Sequence, residues 1–289
     1  MFDYRAIATD EELTVHFVSS HEFDSDYDAI DNATGTRVGT IIVGNGGTFD
    51  ASDDHTFMQY KLWQTRPERK VGQKICLQGL NMEELIEAYE ELLVGAYIMQ
   101  TKRAIVKDAN PPYGRALEWL RTTDFYTAPA STRYHDSVPG GLLLHCIKVY
   151  NHIIDLLTLP VFKDVKVEEA TLAALMHDWC KIDYYEAYQK NVKDENTGTW
   201  IKETAYRVNQ KGMPLGHGAT SMFLASRVLT LTIDQALVIR WHMGRYNVSD
   251  KEENEFQKAV NDCPMVYLIQ IADQLACNDY AIHVSEGSL

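Results

Sequence analysis

The first 79 residues alternate apolar and polar positions over short stretches, as β-strands do. Residues 12–19 (ELTVHFVS) and 37–43 (RVGTIIV) are rich in β-branched side chains and predict two strands. DNATGT at residues 31–36 and NGG at residues 45–47 have the composition of turns. The pattern predicts a small mixed α/β accessory region over residues 1–79, and it does not indicate what this region does.

A helical period replaces the strand period from Asn81 onward. Leu85, Tyr89 and Tyr97 recur at helical spacing, and Asn81 with Glu84 has the spacing of a capping box. Further helical periods cover residues 113–122, 140–157, 167–180, 219–229, 234–243 and 264–278. Residues 184–209 differ, because two polar strands around an Asn-Thr-Gly turn predict a β-hairpin. We therefore expect a mainly α-helical chain, with a helical domain over residues 80–289 that carries a hairpin insertion.

Size and charge narrow the function classes. The chain has 289 residues, of which 45% are hydrophobic, and this is enough for a large buried core. The formal net charge is −14, and the first 60 residues hold 12 acidic side chains against only Arg5 and Arg37. Such a chain is poorly suited to a long nucleic acid, although a metal ion and a few local cations can still hold a small phosphate ester.

Cysteine spacing and hydropathy bear on the compartment. The five cysteines are widely spaced and form no Cys-x-x-Cys pair, so we expect reduced thiols rather than a disulfide framework. No stretch approaches the roughly 20 apolar residues of a membrane span, and the acidic start lacks the apolar run of a signal peptide. We expect a cytoplasmic protein without a membrane partner, and the oligomeric state stays open.

Polar residues interrupt four otherwise apolar helical segments. His145 follows three leucines in GGLLLHCIKVY, His177 and Asp178 close ATLAALMHDWCKI, His217 starts a helix in PLGHGATSMFLA, and Asp273 lies in VYLIQIADQLA. A buried carboxylate needs a cation or dense hydrogen bonding, and imidazoles and carboxylates from several helices are typical ligands of a divalent metal. Separate buried hydrogen bonds are the alternative for any one of these residues, but the adjacent His177-Asp178 pair favours a shared ion.

The order His, His-Asp, Asp over consecutive helices resembles the HD superfamily of metal-dependent phosphohydrolases. YHDSVPGGLLLHCIKV at residues 134–149 is similar to the first-histidine segment of that family, and AALMHDWCKI is similar to its HDxxK motif, with Lys181 as the lysine. The context of residues 134–149 is most similar to the bacterial HD-domain 3′→5′ exoribonucleases, and the resemblance to the HD superfamily covers residues 130–280. The resemblance implies an HD-type helical bundle.

The resemblance also implies the metal ligands. The first divalent ion would be held by four side chains, namely His145, His177, Asp178 and Asp273. Asp178 can bridge to a second ion held by His217 and His242, but family members usually have a His-His pair where this chain has Trp241-His242. One ion and two ions therefore both remain open, and Mn, Fe, Ni, Co, Zn and Mg are not distinguished.

The implied activity is hydrolysis of a phosphoester bond by metal-activated water, with Asp178 and Lys181 as catalytic residues. Lys181 is also expected to bind a substrate phosphate. Arg133, His135 and Arg245 are further candidates for substrate binding, although each can equally be an ordinary surface residue. We expect a small nucleotide, a cyclic nucleotide or a short oligonucleotide as substrate. The hairpin carries five aromatic side chains that either cover the site and stack on a base or only pack the hairpin onto the helical bundle, namely Tyr184, Tyr185, Tyr188, Trp200 and Tyr206. The alternatives are a 3′→5′ exoribonuclease-like phosphodiesterase and an HD module that binds a nucleotide without turnover.

Overall fold

The computed structural model describes five strands within residues 6–51 and then residues 71–101, 111–193, 197–209, 212–246 and 248–279. The strands are β1 (Ala6–Thr9), β2 (Leu13–Ser20), β3 (Asp24–Asp31), β4 (Arg37–Gly44) and β5 (Phe49–Ala51), paired in that order as one antiparallel sheet. The strands predicted at residues 12–19 and 37–43 correspond to β2 and β4. The two predicted turns lie almost entirely outside the described residues.

The described residues after the sheet are mostly helical, which confirms the prediction of a mainly α-helical chain. The α-helices among them are α1 (Met82–Thr101), α2 (Pro112–Arg121), α3 (Gly141–Leu156), α4 (Val167–Met176), α5 (His217–Val228), α6 (Ile233–Trp241), α7 (Glu253–Asp262) and α8 (Met265–Cys277). Short 3₁₀ turns cover Pro160–Phe162 and Trp179–Lys181. The start of α1 has the predicted capping box, since the Asn81 amide donates to Glu84 Oε2 at 2.8 Å and the Glu84 amide donates to Asn81 Oδ1 at 3.0 Å.

Helix α4 lies at the centre of the helical core. Every residue from Glu169 to Met176 is buried, and α1, α3, α6 and α8 pack around the helix. Ala170, Ala173 and Ala174 are fully buried, and their small side chains let the neighbouring backbones approach closely. Each larger apolar side chain buried around them contributes about 1.5 to 3 kcal/mol relative to exposure. This packing fixes the C-terminal end of α4, where His177 and Asp178 follow.

The segment just before α1 is attached to α3. The Gly72 amide donates to the Tyr150 hydroxyl at 3.0 Å, and Asn151 exchanges hydrogen bonds of 2.8 Å with both the amide and the carbonyl of Ile75. Val71 and Leu77 are buried in the same core. The helical unit therefore includes contacts from residues that precede residue 80.

The predicted hairpin is confirmed. Strands β6 (Tyr185–Lys193) and β7 (Trp200–Val208) pair antiparallel, from Tyr185 opposite Val208 to Lys193 opposite Trp200. Most residues of both strands are exposed on both faces. At about 3.3 Å per residue, the end that carries Trp200 lies about 26 Å along the strand from the end that joins the helices.

Among the described residues, no helix is long and apolar enough to cross a membrane.

Candidate metal centre

A tight loop before α3 positions His145. The φ of Gly140 is +74°, and a side chain at Gly141 would lie within 1.9 Å of the Asp136 carbonyl oxygen, so the loop needs glycine at both positions. The helix then places His145 in its second turn with no solvent exposure. Its Nδ1 atom is buried without a hydrogen-bond partner among the described residues.

Helix α4 ends earlier than the sequence predicts. The helical period was expected to run to residue 180, but α4 ends at Met176, and Asp178 has φ −109° and ψ 19° before the 3₁₀ turn at Trp179–Lys181. Tertiary hydrogen bonds explain the early end. The Cys180 amide donates to Ser221 Oγ at 2.9 Å rather than to a carbonyl of α4, and the Trp179 indole donates to the Tyr89 hydroxyl at 3.0 Å.

The turn after α4 brings the adjacent side chains of His177 and Asp178 close to His145. His177 Nε2 lies 3.3 Å from His145 Nε2, and Asp178 Oδ2 lies 3.5 Å from the Nε2 atoms of both histidines. Asp273, from α8, places Oδ1 at 3.1 Å from His145 Nε2 and 3.9 Å from His177 Nε2. The four residues predicted to bind the first ion therefore converge from α3, from the turn after α4 and from α8. His145, His177 and Asp273 each offer a ligand atom within 4.8 Å of the others.

The backbone fixes two of the imidazole rings in the orientation that a metal ligand needs. His177 Nδ1 lies 2.7 Å from the Ala174 carbonyl oxygen, and His242 Nδ1 lies 2.8 Å from the Ile239 carbonyl oxygen. A carbonyl only accepts, so Nδ1 carries the proton in both rings and Nε2 faces the carboxylates. His242 Nε2 is 3.5 Å from Asp178 Oδ1 but has no hydrogen-bond partner among the described residues.

These distances suit a metal ion. An ion that binds nitrogen or oxygen at about 2.1 Å holds neighbouring ligand atoms about 3.0 to 3.4 Å apart in octahedral or tetrahedral geometry. The separations of 3.1, 3.3 and 3.5 Å around His145 Nε2 are close to this range. Imidazole lone pairs and carboxylate oxygens repel each other unless a proton or a cation lies between them. The donor set therefore fits a divalent cation.

Lys181 lies inside this cluster. Its Nζ is 2.5 Å from Asp178 Oδ2, and the residue is only 8% exposed. Burial alone would lower the pKa of Lys181, but Asp178 raises the pKa well above its ordinary value, so the ammonium stays charged. A buried positive charge thus accompanies the buried carboxylate.

The charges of the cluster follow from burial and mutual contact. Burial alone would raise the pKa values of Asp178 and Asp273. Lys181 and His177 nevertheless hold the pKa of Asp178 below its ordinary range. His145 and His177 do the same for Asp273. Burial lowers the pKa of His145. Burial alone would also lower the pKa of His177, but Asp178 and Asp273 raise it above its ordinary value. The cluster therefore contains two ionised carboxylates, and His177 attracts a proton that a metal ion can replace.

The predicted second-ion ligands lie on the other side of Asp178. His217 is the first residue of α5, as its glycine-flanked segment predicts, and its Nδ1 lies 3.6 Å from Cys180 Sγ. Cys180 Sγ is in turn 3.9 Å from Asp178 Oδ1. His242 contacts Asp178 directly, whereas His217 contacts the Cys180 thiol and the Tyr184 ring. The groups of three potential ligands found among the described residues include neither His217 nor His242.

Besides Lys181, three residues were predicted to bind substrate, and they are placed differently from one another. His135 stacks near His145, with ring centroids 4.8 Å apart, and burial is the main reason why its pKa falls to about 3. Arg133 is exposed, with its guanidinium over the Tyr134 ring. Arg245 is exposed, and its Nη1 lies 2.6 Å from Glu253. Among the described contacts, neither arginine touches the cluster.

Sequence reasoning missed two neighbours of the cluster. Cys277 Sγ lies 3.6 Å from His135 Nε2 and 3.8 Å from Asp273 Oδ1, and Cys180 lies beside Asp178 and His217. The available signal was spacing, because Cys277 follows Asp273 by one helical turn.

The base of the hairpin borders the site, whereas its tip does not. The Tyr184 ring lies 5.7 Å from the His217 ring, and the Tyr185 hydroxyl donates to the Ala130 carbonyl at 3.5 Å. Trp200, at the other end of the hairpin, is 72% exposed. Of the five hairpin aromatics, Tyr184 and Tyr185 therefore lie near the site, and Trp200 lies remote from it.

The cluster is thus a buried centre of imidazoles and carboxylates in which one lysine is already paired. The spacing of its donor atoms would allow it to hold a metal ion. Comparison of the chain with models of known families, with curated proteins and with solved structures finds no match.

Proposed function

We propose that this chain is a metal-dependent phosphohydrolase of the HD type, acting on a small nucleotide, a cyclic nucleotide or a short oligonucleotide. The observation that carries the proposal is the meeting of buried His145 and His177 with partly buried Asp273, from three parts of the helical core, with Asp178 beside them. The order of these residues along the chain, which resembles that of HD phosphohydrolases, supports the same assignment.

The four residues have distinct parts in the proposed centre. His145, His177, Asp178 and Asp273 would hold a divalent ion, which when bound activates water and takes up charge from phosphoryl oxygens. The Ala174 carbonyl fixes the His177 ring so that Nε2 faces the ion without rotation. Asp178 presents one oxygen to His145 and His177 and the other to His242. It is therefore the residue through which a second ion would be joined to the first.

Lys181 is the proposed phosphate contact. Its ammonium is held at the centre by Asp178 and stays protonated. A phosphate oxygen entering the cluster would meet a positive charge that is already oriented, and it could accept a charge-assisted hydrogen bond. His135 is the second proposed contact, because its neutral ring can donate one hydrogen bond from beside His145. Arg133 and Arg245 stay candidates for the outer part of a substrate.

The proposal is tested by measuring metal content and hydrolysis together. We expect the purified chain to contain a divalent metal by elemental analysis and to hydrolyse generic phosphomonoesters or phosphodiesters in the presence of Mn²⁺. His145→Gln should lose both properties, because it removes the ligand that contacts three others. His152→Gln is the matched control, since His152 lies two turns along α3 and its Nε2 contacts Asp279 instead.

Two results would count against the proposal in different ways. If His145→Gln kept the full metal content, the assigned ligands would be wrong. If the wild-type chain held its metal but hydrolysed no phosphoester in a broad nucleotide screen, a nucleotide-binding module without turnover would be favoured.

A further inference from the structure

A second group of potential metal ligands lies next to the proposed centre and contains a thiol. His135, His145 and Cys277 each offer one ligand atom, and these atoms lie within 4.8 Å of one another. Cys277 Sγ is 3.6 Å from His135 Nε2 and 3.8 Å from Asp273 Oδ1. His135 and Cys277 are partly buried, and His145 is fully buried.

The group differs chemically from the first one. The proposed centre offers imidazole nitrogens and carboxylate oxygens, which bind Mn²⁺, Fe²⁺ and Mg²⁺ as well as softer ions. A thiolate with two imidazoles favours thiophilic ions such as Zn²⁺ and Cd²⁺. Because His145 belongs to both groups, an ion held by Cys277 would draw on a ligand of the first position.

We propose that His135, His145 and Cys277 form a thiol-containing metal position that selects thiophilic ions. This position lies next to the proposed centre and shares His145 with it. The thiol loses its proton to solvent when the sulfur binds the ion, and no oxidation or reduction is involved. The inference rests on the proposed function only through the shared ligand His145, and it does not require that the chain hydrolyse any substrate.

Cys180 provides a comparison within the same site. Its Sγ lies 3.6 Å from His217 Nδ1 and 3.9 Å from Asp178 Oδ1, so it too is a thiol beside a histidine and a carboxylate. Among the described residues, however, the groups of three mutually close ligands include Cys277 and not Cys180. The structure thus predicts that one of two similar cysteines binds a thiophilic ion and the other does not.

Cadmium titration distinguishes the two cysteines, because a Cd²⁺–thiolate bond gives a charge-transfer absorption in the ultraviolet. We expect the wild-type chain to show this band with saturation near one ion per chain. Cys277→Ser should abolish the band and weaken Cd²⁺ binding at least about tenfold, as expected when a metal site loses one of its partners. Cys180→Ser and the exposed-site variant Cys76→Ser should keep the band.

The outcomes are separable from folding and from catalysis. Far-ultraviolet circular dichroism and thermal unfolding check that Cys277→Ser folds, and Cys277→Ala provides a second variant without a hydroxyl. A His135→Gln variant should weaken Cd²⁺ binding while it leaves Mn²⁺ binding unchanged. No band in the wild type, a band that persists in Cys277→Ser, or a band lost only in Cys180→Ser would overturn the proposal. Failure of hydrolysis with the Cys277-dependent band intact would count only against the proposed function.

Discussion

Asp178 is the residue on which the charges of the centre converge. Both of its oxygens are used, Oδ2 by His145, His177 and Lys181 and Oδ1 by His242. In the protein without a metal ion, Lys181 is the main compensation for this buried carboxylate. A bound divalent ion would supply a second and larger compensation, so the two cations should partly replace each other.

The variant Lys181→Met tests whether a bound metal ion can take over the charge compensation that Lys181 provides. Removing one partner of a buried ion pair costs about 3 to 5 kcal/mol when nothing else compensates the remaining charge. We expect this loss of unfolding free energy in the presence of a chelator and a clearly smaller loss with saturating Mn²⁺. Chemical denaturation under both conditions measures the difference.

Lys148→Met is the matched control for this comparison. Lys148 is also buried and lies 2.7 Å from Asp136 Oδ1, but its recorded contacts are with Asp136 and Asp279 and not with the cluster. Lys148→Met should therefore lose the same amount of unfolding free energy with and without metal. Equal metal dependence of the two variants would refute the placement of Lys181 beside the ion.

The raised pKa of His177 predicts how metal affinity depends on pH. Burial lowers this pKa, but Asp178 and Asp273 raise it more, so protonated His177 persists above the ordinary value of 6.5. Only the neutral ring binds a metal, so each ion must displace this proton. Apparent Mn²⁺ affinity should rise about tenfold per pH unit below the pKa and level off only above about pH 6.5.

Calorimetry in two buffers of different ionisation enthalpy measures the proton release directly. We expect more than half a proton per ion at about pH 6.5, because the pKa of His177 lies above its ordinary value, and less as the pH rises above that pKa. An affinity that stays flat between about pH 6 and 8 would show that His177 is already neutral and would contradict the assigned electrostatics.

At the residue scale, the sequence could indicate which side chains belong to the centre but not how their atoms meet. His145, Asp178 and Asp273 stand out because charged or ionisable groups interrupt apolar helices. The protonation of His177 and His242 depends on carbonyls three residues earlier, which become acceptors only because each helix ends there. The approach of Cys277 to His135 depends on packing between α8 and the loop before α3, and nothing in the local sequence fixes it.

At the element scale, periodicity predicted most of the helices, but it missed α7, whose buried face consists of Phe256, Ala259 and Val260. The hairpin and the starts of α3, α5 and α8 lie within two residues of the predicted positions. Strand β3 was missed because DSDYDAID is rich in aspartate, which is rare in strands, and pairing with β2 and β4 on both sides explains why it forms. The end of α4 was missed because tertiary contacts, not local propensity, stop the helix.

Tyr89 is the residue of α1 that holds this turn. Its buried hydroxyl donates to the Leu175 carbonyl at 2.8 Å and accepts from the Trp179 indole at 3.0 Å, so it connects the residues on both sides of His177 and Asp178. Tyr89→Phe leaves a buried carbonyl and a buried indole N–H without this partner. We expect a loss of about 1 to 3 kcal/mol in unfolding free energy and weaker metal binding, although the residue is not a ligand.

Tyr97→Phe is the corresponding control on the same helix. Tyr97 is also buried, and the described contacts include no hydrogen bond of its hydroxyl. Denaturation and Mn²⁺ titration should show little change in this variant. If Tyr89→Phe lost stability but bound Mn²⁺ as tightly as the wild type, the turn would not depend on α1 for its metal-binding geometry.

At the scale of the whole molecule, charge and shape limit the substrate. Most of the net charge of −14 lies in the first 60 residues, and over the whole chain 41 acidic side chains stand against 27 lysines and arginines. The positive charge that the described structure places at the centre comes from buried Lys181 and, while no metal ion is bound, from His177, whose pKa Asp178 and Asp273 raise. Recognition of a phosphate would then depend on the ion, on Lys181 and on a few neighbours, rather than on many contacts with a nucleic-acid backbone.

A substrate that contacts few cations should bind with a weak dependence on salt. Each neutralised phosphate of a single strand adds about 0.7 to the steepness with which log affinity falls against log salt concentration, so we expect a slope of about −1 to −2.

Variants of the hairpin distinguish short from long substrates in the same assay. Tyr184→Ala, at the base beside His217, should raise the Michaelis constant for a mononucleotide, whereas Trp200→Ala, about 26 Å along the hairpin, should leave it unchanged. A steep salt dependence, together with a Trp200→Ala effect on RNA oligomers but not on mononucleotides, would favour the exoribonuclease-like activity over a small substrate.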